Sequence, residues 1–372
     1  MKTSFSILLL ILLFSGRPTS ELKEVPNKLP MSDFLDKAPE FYVLQWNVGT
    51  KLTSQKTEFF IEVDSVGKQG IDVLLNQRKE PVLYTAAIST PVCADGECKL
   101  MNLKLYWTLL GEYAGFDRYP DLPLTKYDHD IFLEEDYQKL HELLTDDKSI
   151  LGRRSIDRLV EQPKMRTVNG VDAVSGATIT QVKESIVPGA LYSCYTAWHL
   201  AHGDIREKLK ARTLAVLNEN IIIDMLYSNN PEYQLFALEK MDQELYLQHH
   251  VQISEIFKTA IPLVRSVVAK SFMTHFKATP NLQLPFWQAF DKIDVGSRSL
   301  LLKNLDTAPP FVVDILSGKL SAMSKNQLNS FFSHLSPKHE LSREILNNIE
   351  TFANSDSETY AYLAKQYIEE GQ

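Results

Sequence analysis

The pattern of apolar residues changes period at His202-Gly203-Asp204, and that change constrains the fold more than any other feature of the chain. Before it, short runs rich in aromatic and β-branched residues are bounded by turn-forming residues, the marks of strands. After it, apolar residues recur at helical spacing almost to the last residue. The spacing predicts helices over 205–227, 231–246, 251–276, 284–293, 295–305, 311–316, 325–335, 340–352 and 357–368. Asn229-Asn230-Pro231, Pro280 and Pro309-Pro310 punctuate them. A chain of 372 residues exceeds the usual extent of one core. The expected organisation is therefore an α+β domain over 40–203 followed by an all-α domain over 204–372. Short amphipathic helices in series suggest an α-solenoid of stacked pairs. No signature repeats cleanly, so an irregular helical bundle is the alternative.

The front of the chain reads as an export signal over 1–20: Lys2, an apolar run over 5–14 broken only by Ser6, then small and turn-forming residues. The run is shorter than the roughly 20 residues that span a bilayer as a helix. An uncleaved signal anchor is the alternative. Residues 21–39, polar and carrying Pro26 and Pro30, read as a linker. The expected address is periplasmic or elsewhere in the cell envelope, where disulfides persist. A net charge of −8 argues against nucleic acid as a partner.

Strands are expected over 41–46, 57–63 and 71–75. A hairpin runs in over 82–90 and out over 100–113, and Asp95-Gly96 suits a two-residue type I′ turn. That register puts Cys93 opposite Cys98 as a non-hydrogen-bonded pair, near the separation a disulfide needs. A redox-active dithiol fits less well without a CxxC spacing, and a metal site less well with two thiols. Asp117, Pro120, Asp121 and Pro123 read as a loop. A helix over 134–144 follows, with Leu133, Tyr137, Leu140, His141 and Leu144 at helical spacing. His141 reads as a packed histidine, and Asp128, His129 and Asp130 as a solvated loop, since adjacent side chains diverge. His249 and His250 diverge in the same way.

Residues 149–160 carry Arg153, Arg154 and Arg158 on an expected short helix, and 164–168 reads as a strand closed by Asn169-Gly170. Asp172-Ala-Val-Ser-Gly-Ala-Thr178 comes next. A helix is expected to run on through Val182, Ile186, Leu191, Tyr195 and Trp198, broken or bent near Val187 by Pro188-Gly189, with Cys194 inside it as a small hydrophobe. A loop of small residues ending in a hydroxyl at a helix start lets a phosphate approach backbone N–H groups. Read more plainly, Thr178-Ile-Thr-Gln181 is a capping box.

The segment from Asp172 to Thr178 also resembles the flavin-attachment motif of the FMN-binding domain family, found in the exported small subunits of Nqr- and Rnf-type electron-transport complexes. That motif reads Asp, two variable residues, Ser or Thr, Gly, Ala, Thr, and every fixed position matches. The resemblance implies FMN esterified through its phosphate to Thr178, with a separate Mg-dependent FAD:protein FMN transferase as the attaching partner. Under it Asp172 orients the loop or is read by that transferase, Gly176 and Ala177 remove bulk, and Ser175 and Thr180 offer hydroxyls to the phosphate. Arg153, Arg154 and Arg166 are candidate phosphate or ring partners, with surface charge as the alternative. The helical half, similar to HEAT-type repeats, would dock a redox partner such as a cytochrome or membrane reductase.

The chain has no haem-attachment motif, no cysteine set for an iron–sulfur cluster and no glycine-rich dinucleotide fingerprint. The function expected is thus an extracytoplasmic electron carrier rather than a complete reductase. Two other classes stay open: an interaction scaffold with a vestigial FMN domain, and a thiol-disulfide protein using Cys93 and Cys98.

Overall fold

The computed structural model describes residues 52–63, 67–92, 100–127, 129–161, 177–178, 180–335 and 341–370. The expected signal, linker and strands over 41–46 and 164–168 lie outside the described residues, as do Cys93, Cys98, Asp128 and Arg166.

Five strands form an antiparallel meander in chain order: β1 (Thr53–Val63), β2 (Gly67–Leu75), β3 (Pro81–Thr90), β4 (Met101–Trp107) and β5 (Tyr113–Arg118). Alternation decides which face is covered. Tyr84, Ala86 and Ile88 of β3 sit opposite Trp107, Leu105 and Leu103 of β4, and all six are buried. This inner face packs against α1 (Glu134–Thr145) and α3 (Leu191–His202). Trp107 anchors the contact by donating its Nε1–H to the Ala201 carbonyl at 2.9 Å.

The outgoing strand expected over 100–113 is in fact two strands. Thr108 N–H bonds the Glu112 carbonyl at 2.8 Å, and Gly111, at φ 79°, closes the turn between β4 and β5. A glycine is required there, because a Cβ would lie 2.3 Å from the backbone oxygen of Arg206. Asp117, expected in a loop, belongs to β5 and is buried. Its carboxylate is matched by the Tyr106 hydroxyl, which donates to Oδ2 at 2.5 Å. The helix expected over 149–160 is two 3-10 turns, Ile150–Gly152 and Ile156–Arg158.

Beyond Gly203 the described residues are helical, as the period indicates, but several expected helices are divided. The 205–227 stretch becomes α4 (Ile205–Ala215) and α5 (Glu219–Tyr227), because the Asn218 side chain caps α5 by accepting from Ile221 N–H at 3.0 Å. The 231–246 stretch becomes α6 (Pro231–Lys240) and α7 (Gln243–Gln248), with Asp242 as cap. The 251–276 stretch becomes α8 (His250–Thr259) and α9 (Pro262–Phe276), since Pro262 can open a helix but not continue one.

The remaining helices are α10 (Leu284–Gln288), α11 (Val295–Leu302), α12 (Phe311–Ser317), α13 (Lys325–Leu335), α14 (Arg343–Ala353) and α15 (Ala361–Glu370). They stack in two rows: α8, α10, α12 and α14 in one, and α9, α11, α13 and α15 in the other. Phe257, Phe272, Phe276, Phe286 and Trp287 interlock where the rows begin, with ring centroids 5.0–5.9 Å apart. Burying each such side chain stabilises the fold by ~1.5–3 kcal/mol before chain entropy is counted.

Buried bonds cross the Gly203-Asp204 boundary. Tyr233 of α6 accepts from Leu109 N–H at 2.8 Å, and Thr213 of α4 donates to the Leu109 carbonyl at 2.6 Å. One continuous apolar core therefore runs from the sheet into the helices.

Candidate functional site

Thr178 lies on a two-residue strand, β7 (Ala177–Thr178), paired antiparallel with β6 (Val160–Glu161). The register sets Thr178 opposite Val160 and Ala177 opposite Glu161. A single residue separates Thr178 from α2 (Thr180–Lys183), so Thr180 opens a helix as the sequence suggests. Asp172, Ser175 and Gly176 lie outside the described residues.

The interruption expected near Val187 is a full break and comes a little earlier, with α2 ending at Lys183 and α3 starting at Leu191. Pro188 has no N–H to donate and Gly189 takes φ 73°, so residues 184–190 form a turn before α3 begins. Val182, Ile186 and Val187 bury themselves and tie this turn to the core. The consequence is electrostatic. A four-residue helix aligns few peptide dipoles, so its N-terminus holds a phosphate charge less well than a long helix would.

Side-chain cations take on more weight as a result. Arg158 ends the second 3-10 turn two residues ahead of Val160, the cross-strand neighbour of Thr178. It is exposed, as are Arg153 and Arg154, and none of the three has a carboxylate partner among the described residues. Sequence reasoning placed Arg158 on a helix and did not connect it to Thr178. A two-residue strand such as β6 has too few positions for any periodicity to declare it.

Other candidates resolve into packing. Cys194 is fully buried in α3, and burial pushes its thiol up to about 12, so it is a core residue and not a nucleophile. His141 is buried, and its Nδ1 lies 2.9 Å from the Tyr113 hydroxyl. The Nδ1 atoms of His249 and His250 face different partners, the Tyr227 hydroxyl at 3.3 Å and the Leu247 carbonyl at 2.9 Å. Among the described residues no group of three His, Cys, Asp or Glu side chains could hold a metal ion. No described helix is long and apolar enough to cross a membrane.

No family model matches the chain, and neither a curated protein nor a solved structure matches it.

Proposed function

We propose that this chain is a flavin carrier in which Thr178 bears FMN through a phosphoester and electrons pass outside the cytoplasm. The observation that carries the reading is the seven-residue pattern ending at Thr178, on a strand that feeds a helix after one residue. A threonine hydroxyl is a weak nucleophile at neutral pH, so attachment requires the FAD:protein FMN transferase to activate it. The phosphodiester formed keeps one negative charge. Arg158, two residues ahead of the Val160 that pairs with Thr178, is the candidate counter-charge for it.

The apolar interior of the sheet is filled by side chains such as Trp107, Tyr84 and Phe116, which supports a reading in which a tethered cofactor is carried at the surface. A surface flavin is suited to exchanging electrons with a docked protein, and the protein tunes it through charge and hydrogen bonds. The two rows of helices offer a surface for docking a cytochrome or membrane reductase. The same rows favour a second reading, an interaction scaffold similar to HEAT-type repeats whose FMN domain is vestigial.

Intact mass separates the two. Co-expression with the transferase should add one FMN moiety to the wild type and none to Thr178→Ala. An unchanged wild-type mass sinks the carrier reading and leaves the scaffold.

A further inference from the structure

The central sheet is split between β2 and β3. Their register ends at Asp72 opposite Thr85, although β2 reaches back to Gly67 against β1 and β3 runs on to Thr90 against β4. Gln69 bridges the opening. Its side-chain Nε2 donates to the Ser89 carbonyl at 2.8 Å, and its Oε1 accepts from Ser89 N–H at 2.6 Å. Backbone groups of an antiparallel strand turn to alternate sides. With Thr85 and Ser89 facing β2, the N–H and C=O of Ala87 face it too, and those of Gly70, two residues from Asp72, face β3. Neither Gly70 nor Ala87 has a partner in that register.

A hollow of about 310 Å³ sits over this opening, lined by Gly70, Asp72, Ala87, Lys104, Asp117 and Tyr119 among others. That volume falls at the lower end of small-molecule sites. Its floor is flat because Gly70 and Ala87 carry almost no side chain, and a Cβ added at Gly70 would meet nothing within 4 Å. The Lys104 ammonium stands 5.4 Å over the Tyr106 ring and has no carboxylate partner among the described residues.

We propose that this hollow binds a planar heterocycle presenting an imide or ureide edge to the backbone of Gly70 and Ala87 and an anionic group to Lys104. Backbone donors and acceptors lying in the plane of a sheet match the in-plane carbonyls and N–H of such a ring. Such a ring enters the opening in the plane of the strands, where the small side chains of Gly70 and Ala87 leave it room, and the ammonium gives a charge-assisted contact. Two sources carry this chemistry: a free heterocycle, or the ring of a flavin tethered at Thr178. The site itself does not depend on the flavin reading.

The test uses the full chain made without the transferase, with orotate as probe because it combines an imide edge with a carboxylate. Calorimetric titration should show saturable one-to-one binding. Lys104→Met should weaken it at least ~10-fold, the loss typical of a charge-assisted bond. Gly70→Val fills the floor and should abolish binding; if it also lowers the melting temperature, Lys104→Met alone carries the test. Absence of saturable orotate binding, or an affinity unchanged in both variants, overturns the proposal. Repeating the titration on flavinylated chain separates the sources: lost binding means that the tethered ring fills the hollow, and retained binding means a free ligand. A failed flavinylation leaves the orotate result standing.

Discussion

Tyr84 on β3 and Thr213 on α4 share a hydrogen bond of 3.0 Å across the boundary between sheet and helices. Because the single Thr213 proton goes to the Leu109 carbonyl at 2.6 Å, Tyr84 is the donor. Both residues are buried. Tyr84→Phe removes one bond and should cost ~1 kcal/mol, whereas Thr213→Val strands two buried groups at ~1–3 kcal/mol each. Urea unfolding should show one transition in the wild type, with a lower midpoint in both variants and the larger drop in Thr213→Val. Two separate wild-type transitions would show that the boundary contacts do not couple the halves.

Gly152 lies under the Trp198 ring, where a Cβ would come within 2.3 Å of the ring edge. The Trp198 Nε1–H is held by the Asp146 carbonyl at 2.9 Å, so the ring cannot turn away without losing that bond. Gly152→Ala should therefore destabilise by ~1–3 kcal/mol through overpacking. Differential scanning calorimetry reads this as a lowered melting temperature. Gly70→Ala, in open space, serves as the matched control and should leave the temperature nearly unchanged.

Burial lowers His202 and His199 below their ordinary value of 6.5. The unfolded chain then takes up protons before the folded one does, so these residues hold full stability above about pH 6.5 and lose it as the pH falls toward the folded values. Glu112 and Asp224, raised by burial, act with the opposite sign at lower pH. Urea midpoints measured downward from pH 8 should begin to fall near pH 6.5, and His202→Asn should flatten the fall. A midpoint that rises on acidification through this range would contradict the assignment.

Three cysteines give a simple thiol count. The turn read at Asp95-Gly96 pairs Cys93 with Cys98 as a sequence expectation, in residues outside the described ones. The oxidised protein should show one reactive thiol in denaturant, that of Cys194, and three after reduction. Under native conditions Cys194 should resist alkylation at pH 8, because its thiol remains protonated and buried. Three thiols before reduction would remove the disulfide.

Local order along this chain was legible in the sequence itself. The helix expected over 134–144 is found as Glu134–Thr145, and the hairpin expected from the two runs flanking Asp95-Gly96 appears as paired β3 and β4. Periodicity, caps and turn residues act within a few positions, so they can be read in one dimension. Capping and helix-opening residues carry what the period does not: Asn218, Asp242 and Pro262 each begin a helix inside a span whose apolar period runs on undisturbed.

Tertiary structure alone decided the rest. Asp117 looks like a loop residue until Tyr106, on the neighbouring strand, supplies its hydrogen bond. Thr178 comes to lie opposite Val160, two residues from Arg158, only because β6 pairs with β7, and the opening at Gly70 and Ala87 exists only because β2 and β3 part beyond the Asp72–Thr85 pair. The segment Asp172–Thr178 is legible in the sequence as a pattern, and under the flavin proposal it is where a cofactor would be tied. What surrounds that point depends on which strands meet, and strand pairing is a contact between residues distant in the chain that local preference does not encode.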